Sequence, residues 1–405
     1  MTYKYSETTL DNGLRIVAES SPEAATAAIG FFVKTGARDE RSTLMGASHF
    51  LEHMMFKGTE TMSAEEVDIA FDNLGAQHNA FTSGEMTAFW GAGLPDVIED
   101  VHDILANILR PSLRQEDFDA EKSVILEEIA MYEDQPFWVL YESALEFYYG
   151  NNTLGHRVLG TPETINKMTR DELANYFVQQ YSADNTIVAI TGNVEIDSMV
   201  DRIQERCGSW ERTGVTRTYD SITRNGGKFQ KEIDELQQCY LMMMMPSASF
   251  QDSKRHAVGA LGSILGGGDC SRLHWALVDK GIAEAASASV DAHDKYGEQL
   301  AWAICQTADA DNVSEIMISE MEKLCKTLTQ NDLSRVVAKA ATAAAIGSEK
   351  PVGRMQRLGG MLTTCGEYIS LEEELNSIES LTIDDLVVSA EAFPWSPILK
   401  ASTAG

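Results

Sequence analysis

Long apolar runs, basic residues and paired cysteines are all scarce in this chain. No apolar stretch approaches the ~20 residues that cross a bilayer, which argues against a membrane-spanning helix. The run LMMMMP at 241–246 is too short for that and reads as a buried strand. The opening residues, MTYKYSETTLDNG, have neither a basic n-region nor an apolar h-region. No signal peptide is therefore read there, and a cytoplasmic location is expected. Lys and Arg number 32 against 62 Asp and Glu, a formal charge of −30. Phosphates would be repelled, which excludes nucleic acid as an expected partner. The six cysteines (Cys207, Cys239, Cys270, Cys305, Cys325 and Cys365) form no CxxC pair. In a chain of 405 residues they read as thiols of a reducing compartment rather than as disulfides.

What is present is enough apolar material for two cores, 44% of 405 residues. Asp11-Asn12-Gly13 sits between two extended runs and predicts a hairpin. A strand is expected within 25–37, then a helix ending at Gly58. Ser63-Ala-Glu-Glu66 and Thr169-Arg-Asp-Glu172 are capping boxes that open helices. A second hairpin is expected over 78–94, turning at Ser83-Gly84, and helices over 96–109 and 115–132. The polar stretch 211–230 reads as a linker, after which the order of elements recurs. The expected fold is α+β: a domain at 1–210, the linker, and a similar domain at 231–405 without a metal site. Each would be a mostly antiparallel sheet with helices packed on it.

The chemistry concentrates in ASHFLEHMMFKG, 47–58. On a helix His49 and His53 share one face, and Glu52 borders it. Two imidazoles at this spacing can hold one zinc ion, and a carboxylate between them can take a proton from water that the metal acidifies. The order His-x-x-Glu-His inverts the commoner metalloprotease motif. With eight histidines, such a pattern arises by chance somewhere in the chain with a probability of about 1%. Three aligned polar groups in an apolar run would carry desolvated nitrogens and charge unless something binds them.

A catalytic zinc takes three protein ligands. The segment EKSVILEEIAMYE places Glu121 and Glu128 two turns apart on one helix face, with Glu127 rotated about 100° away. Glu128 is assigned as the third ligand and Glu121 as an acidic partner behind the ligands. By spacing alone, a solvated acidic face is the commoner meaning of such a pair.

HFLEHMMFKGT followed by EKSVILEEI resembles the inverzincins, the group of pitrilysin, insulin-degrading enzyme and mitochondrial processing peptidase known as peptidase family M16. DNGLRIV, GARDE, LGAQHNAFTSGEMTAF, LGTPETI, ITGNV and LGGGDCSRL support the resemblance over most of the chain. The length matches the short-subunit branch, in which one chain is half of a clamshell. The resemblance implies a zinc peptidase with His49, His53 and Glu128 as ligands, Glu52 as general base and Glu121 as a second acidic residue of the site. It implies that Asn79, Ala80, Phe81 and Thr82 form an edge strand that pairs with a peptide substrate, as sheet edges can. His78, beside that strand, reads as structural.

Active members of this family carry an Arg and a Tyr shortly after the SRL segment. Here Val278 and Glu284 stand at those places, and neither can donate to a developing oxyanion. Tyr296 does not align, and Arg272 reads as structural. The chain is therefore expected to be the zinc-binding catalytic subunit of a heterodimer whose second subunit supplies Arg and Tyr. A homodimer, or a non-catalytic core or peptide-binding subunit of the same fold, is the alternative. The acidic balance would favour basic peptides in a closed chamber.

Overall fold

The computed structural model describes residues 2–234 and 236–404. It contains two compact units, each with its own sheet and core. In the first, β1 (Lys4–Thr9), β2 (Arg15–Ser20), β3 (Ala27–Val33), β4 (Gln77–Thr82), β5 (Thr87–Gly93) and β6 (Thr186–Gly192) form a sheet ordered β1-β2-β6-β3-β5-β4. Only β2 and β6 run parallel. The β1–β2 turn is fixed by Gly13 at φ +91°, and the Asn12 amide donates to the carbonyls of Cys207 and Trp210. β3 is buried along its whole length and alternates between two covered faces. Ile29, Phe31 and Val33 face the main core, where Phe50, Leu51 and Ile104 pack.

The other face of β3 takes a helix from far along the chain, Pro351–Cys365. Its approach is close: a Cβ on Gly30 would lie 2.6 Å from the Met355 sulfur, and one on Gly359 would lie 2.2 Å from the Phe32 ring. Arg354 holds the buried Glu19 of β2 at 2.6 Å.

The second unit repeats the plan. β7 (Gly227–Glu232), β8 (Gln238–Pro246), β9 (Ala285–Ala292), β10 (Gly297–Gln306) and β11 (Leu399–Ala404) are ordered β7-β11-β8-β10-β9. Its single parallel pair is β7 with β11. Strand for strand this is the first sheet without β1, which bears out the expected duplication of a mostly antiparallel α+β domain. One face carries the helix Arg255–Gly266, and the other carries the helix Pro136–Tyr149 through Leu140, Ala144 and Tyr148 against Met242, Met244 and Leu399.

The units are therefore not the contiguous blocks 1–210 and 231–405. The first comprises Met1–Ala130, His156–Thr218 and Ile346–Tyr368; the second comprises Met131–Gly155, Tyr219–Ala345 and Ile369–Gly405. The physical reason is an exchange of equivalent helices, each filling a sheet face in the unit that the rest of its half of the chain does not form. The expected linker is irregular only over 211–226, because Gly227–Glu232 is strand β7. Among the described residues no helix is long and apolar enough to cross a membrane.

Candidate metal centre

The helix Ala47–Met55 puts Phe50, Leu51, Met54 and Met55 into the core, so its opposite face carries His49, Glu52 and His53. Its start is held by a buried acid. Glu40 accepts from the N–H groups of Gly46 and Ser48, each at 2.7 Å, and so occupies the positive end of the helix. Burial pushes the Glu40 carboxyl up to about 8 against those two backbone bonds. The helix Gln115–Glu133 docks alongside through Phe118, whose ring stacks on Phe50 at 4.7 Å. Such a pair adds about 0.5–1.5 kcal/mol beyond its buried area. That stack sets the second helix so that Glu121 and Glu128 face the histidines, while Glu127 is exposed.

His49, His53 and Glu128 each offer a ligand atom, and these atoms lie within 4.8 Å of one another. Glu128 Oε2 is 3.6 Å from Nε2 of both His49 and His53. Ligands about 2.1 Å from a tetrahedral centre stand about 3.4 Å apart, so the two 3.6 Å spacings to Glu128 fit zinc, as does a donor set of two imidazoles and a carboxylate. Burial, with the neighbouring His53, pushes His49 down to about 3, leaving it neutral as a ligand must be. Its Nδ1 is buried and makes no hydrogen bond among the described residues.

His53 is held differently. Burial lowers its pKa, but the bond from Nδ1 to Glu121 and the charges of Glu121, Glu128 and Glu52 outweigh burial and raise it. The Nδ1–Glu121 Oε1 distance is 2.8 Å, and Lys57 Nζ sits 2.6 Å from the other oxygen of Glu121. Glu121 thus contacts His53, a candidate ligand, and it fixes the imidazole tautomer that leaves Nε2 free.

Glu52 is half-buried, and burial, aided by the charge of Glu128, raises its pKa against the bond from Thr82 and the proximity of His53. Thr82 donates its hydroxyl to Glu52 Oε2 at 2.6 Å. Thr82 ends β4, which pairs only with β5 among the described strands and leaves an open edge. Asn79, Ala80, Phe81 and Thr82 all lie on β4, and the Ala80 N–H is taken by Asn79 Oδ1 at 2.8 Å. His78 stacks on Phe71 with centroids 3.9 Å apart, a packing role.

Val278 lies half-buried in the helical turn His274–Val278, and Glu284 is exposed and accepts from the Gln238 amide. Arg272 is structural as expected, bonding Asp332 at 2.7 Å and the Thr327 carbonyl at 2.9 Å. The sequence reading missed Lys57, Glu40 and the contact of Thr82 with Glu52. Lys57 was findable, four residues after His53 in helical register. Glu40 carries no such signal, because its role depends on a loop folding back.

Residues 15–162 match the family model described as Insulinase (Peptidase family M16), and residues 167–340 match that of the Peptidase M16 inactive domain. A Streptomyces coelicolor protein named an uncharacterized zinc protease is 31% identical over 392 residues, covering 94% of this chain and 85% of that one. A Bacillus subtilis protein named an uncharacterized zinc protease is 29% identical over 379 residues, 93% of this chain and 92% of that one. Among solved structures, a protease from Helicobacter pylori superposes with a TM-score of 0.93 at 20% identity over all of both chains, a likeness of fold.

Proposed function

The chain belongs to peptidase family M16, and from that premise we propose that it is a zinc endopeptidase of peptides or unfolded segments, the catalytic subunit of a heterodimer with a closed chamber. The observation that carries this reading is the convergence of His49, His53 and Glu128 within 4.8 Å, beside a Glu52 held by Thr82.

His49, His53 and Glu128 would hold the zinc. When bound, zinc supplies a Lewis acid that polarises a scissile carbonyl and lowers the pKa of water. Glu52 takes the proton of the attacking water and later returns it to the leaving amine; its raised pKa suits it to both steps. Thr82 fixes one Glu52 oxygen, leaving the other for proton transfer. Glu121 keeps the His53 proton on Nδ1, and Lys57 keeps Glu121 charged. A peptide adds to β4 as a further strand, with Asn79 yielding the Ala80 N–H to it. The −30 charge favours basic peptides.

The heterodimer is supported by Val278 and Glu284, which offer no donor for a developing oxyanion. A homodimer is the second reading, with other groups at that task. A non-catalytic core subunit is disfavoured by the complete ligand set and by the orientation of Glu52. A peptide-binding module would need the ligands but not Glu52. Cleavage of a quenched basic peptide by the zinc-loaded chain, alone and with candidate second subunits of the family, tests the proposal. Glu52→Gln abolishes turnover in an enzyme and leaves a binding module unchanged.

A further inference from the structure

The irregular stretch 211–226 contains one deeply buried cation, Arg217, whose side chain is 3% exposed. Its guanidinium makes a bidentate pair with Asp39, 2.8 Å to Oδ1 and 2.7 Å to Oδ2, and donates to the Glu85 carbonyl. Glu85 in turn accepts from Arg38. Around this pair two loops are laced by backbone. Ala37 N–H donates to Ser83 O at 3.2 Å and Arg38 N–H to Gly84 O at 2.9 Å. Gly36 N–H donates to Asp39 Oδ2 at 3.0 Å.

Each loop hands directly to the site. Glu40 follows Asp39 and holds the first turn of the helix that begins the zinc motif, through Gly46 and Ser48. Thr82 precedes Ser83 and holds Glu52. One guanidinium therefore stands where the support of His49 and the support of Glu52 meet.

We infer that Arg217 is a positioning residue for the peptidase site, clamping Asp39 to the turn 83–86 and thereby fixing Glu40 and Thr82; as a statement about catalysis this rests on the function proposed above. Replacing both members of a buried ion pair by apolar residues can be neutral, because desolvation offsets attraction, whereas removing one member leaves the other charge buried and uncompensated and lowers stability. What an apolar residue cannot supply is a planar fork that fixes two segments at once. Lys keeps the charge but not the fork.

The test uses Arg217→Met and Arg217→Lys, with Arg354→Met as the control, since Arg354 makes a comparable buried pair with Glu19 away from the motif. Two readouts are taken: backbone amide exchange in the full chain at Ala37, Arg38, Gly46 and Ser48, and kcat with KM in the zinc-loaded active assembly. Arg217→Met is expected to speed exchange at these amides about tenfold or more and to lower kcat about 10- to 100-fold with KM within about twofold, as misplacement of catalytic groups does. Arg217→Lys falls between Met and wild type. Arg354→Met lowers Tm but leaves kcat and these four amides as in wild type. Should Arg217→Met fail to fold, Arg217→Lys carries the same two readouts. Wild-type exchange or wild-type kcat in the Arg217 variants overturns the inference, and so does a loss that Arg354→Met shares. If the wild-type assembly cleaves nothing, the peptidase reading fails by itself, and exchange alone still decides whether Arg217 holds Glu40 and the turn.

Discussion

Thr82 and Glu52 are 30 positions apart, on a strand and a helix, and meet in a hydrogen bond of 2.6 Å. The bond ties the proposed general base to the edge strand that would receive the substrate. Thr82→Val keeps the shape and removes the donor. A hydrogen bond to a charged group is worth about 1.5–3 kcal/mol, so kcat should fall about 10- to 100-fold. Zinc content should stay at the wild-type level, and Thr82→Ser should recover most of the loss. Steady-state kinetics beside metal analysis checks this, and a wild-type kcat in Thr82→Val would remove Thr82 from the mechanism.

Glu121 acts through His53. Glu121→Gln cannot hold the Nδ1 proton as a charged acceptor and should weaken zinc binding about 10- to 100-fold, the usual effect of losing such a partner. Lys57→Met should act in the same direction and less strongly, because Lys57 bonds only the far oxygen of Glu121. Competition with a chelator of known affinity measures both.

Glu40 predicts a pH signature in stability. Its folded pKa, raised by burial to about 8, lies above the ordinary carboxyl value. A group raised in this way contributes stability that is full below the unfolded pKa and is lost as pH rises through the folded one. Stability attributable to Glu40 should therefore decline between about pH 5 and pH 8. Glu40→Gln should flatten that decline. Denaturant titrations across the window test it, and parallel wild-type and variant curves would contradict it.

Subunit composition has its own test. A heterodimer predicts that the zinc-loaded chain alone leaves a quenched basic peptide intact. Cleavage by the chain alone, abolished in Glu52→Gln, would replace the heterodimer with a homodimer and show that other groups serve where Val278 and Glu284 stand.

Much of this was legible in the sequence, for local reasons. The i, i+4 histidines, both capping boxes, the Asn-Gly turn and the carboxylates seven apart are each decided within a turn or two of chain, and the structure forms each of them. The expected hairpin over 78–94 appears as β4 and β5, with its turn at 83–86. The repeat of element order likewise reappears as two sheets of one topology. What was not legible depends on distant partners. Helices Pro136–Tyr149 and Pro351–Cys365 carry apolar faces, but nothing local says which sheet each face covers. Strand β7, GKFQKE, is an edge strand with mostly exposed side chains, so its pattern reads as linker. Arg217 lies in the same polar stretch, and only the folded chain shows it buried on Asp39.

The central claim is that His49, His53 and Glu128 hold zinc. Metal content of the purified chain by emission spectrometry, after zinc loading and removal of free metal, tests it most directly. The account predicts one zinc per chain in the wild type and in Glu52→Gln, and a strong loss in His53→Ala and Glu128→Ala. A folded wild-type chain that retains no zinc, or a His53→Ala variant that retains it fully, would contradict the account.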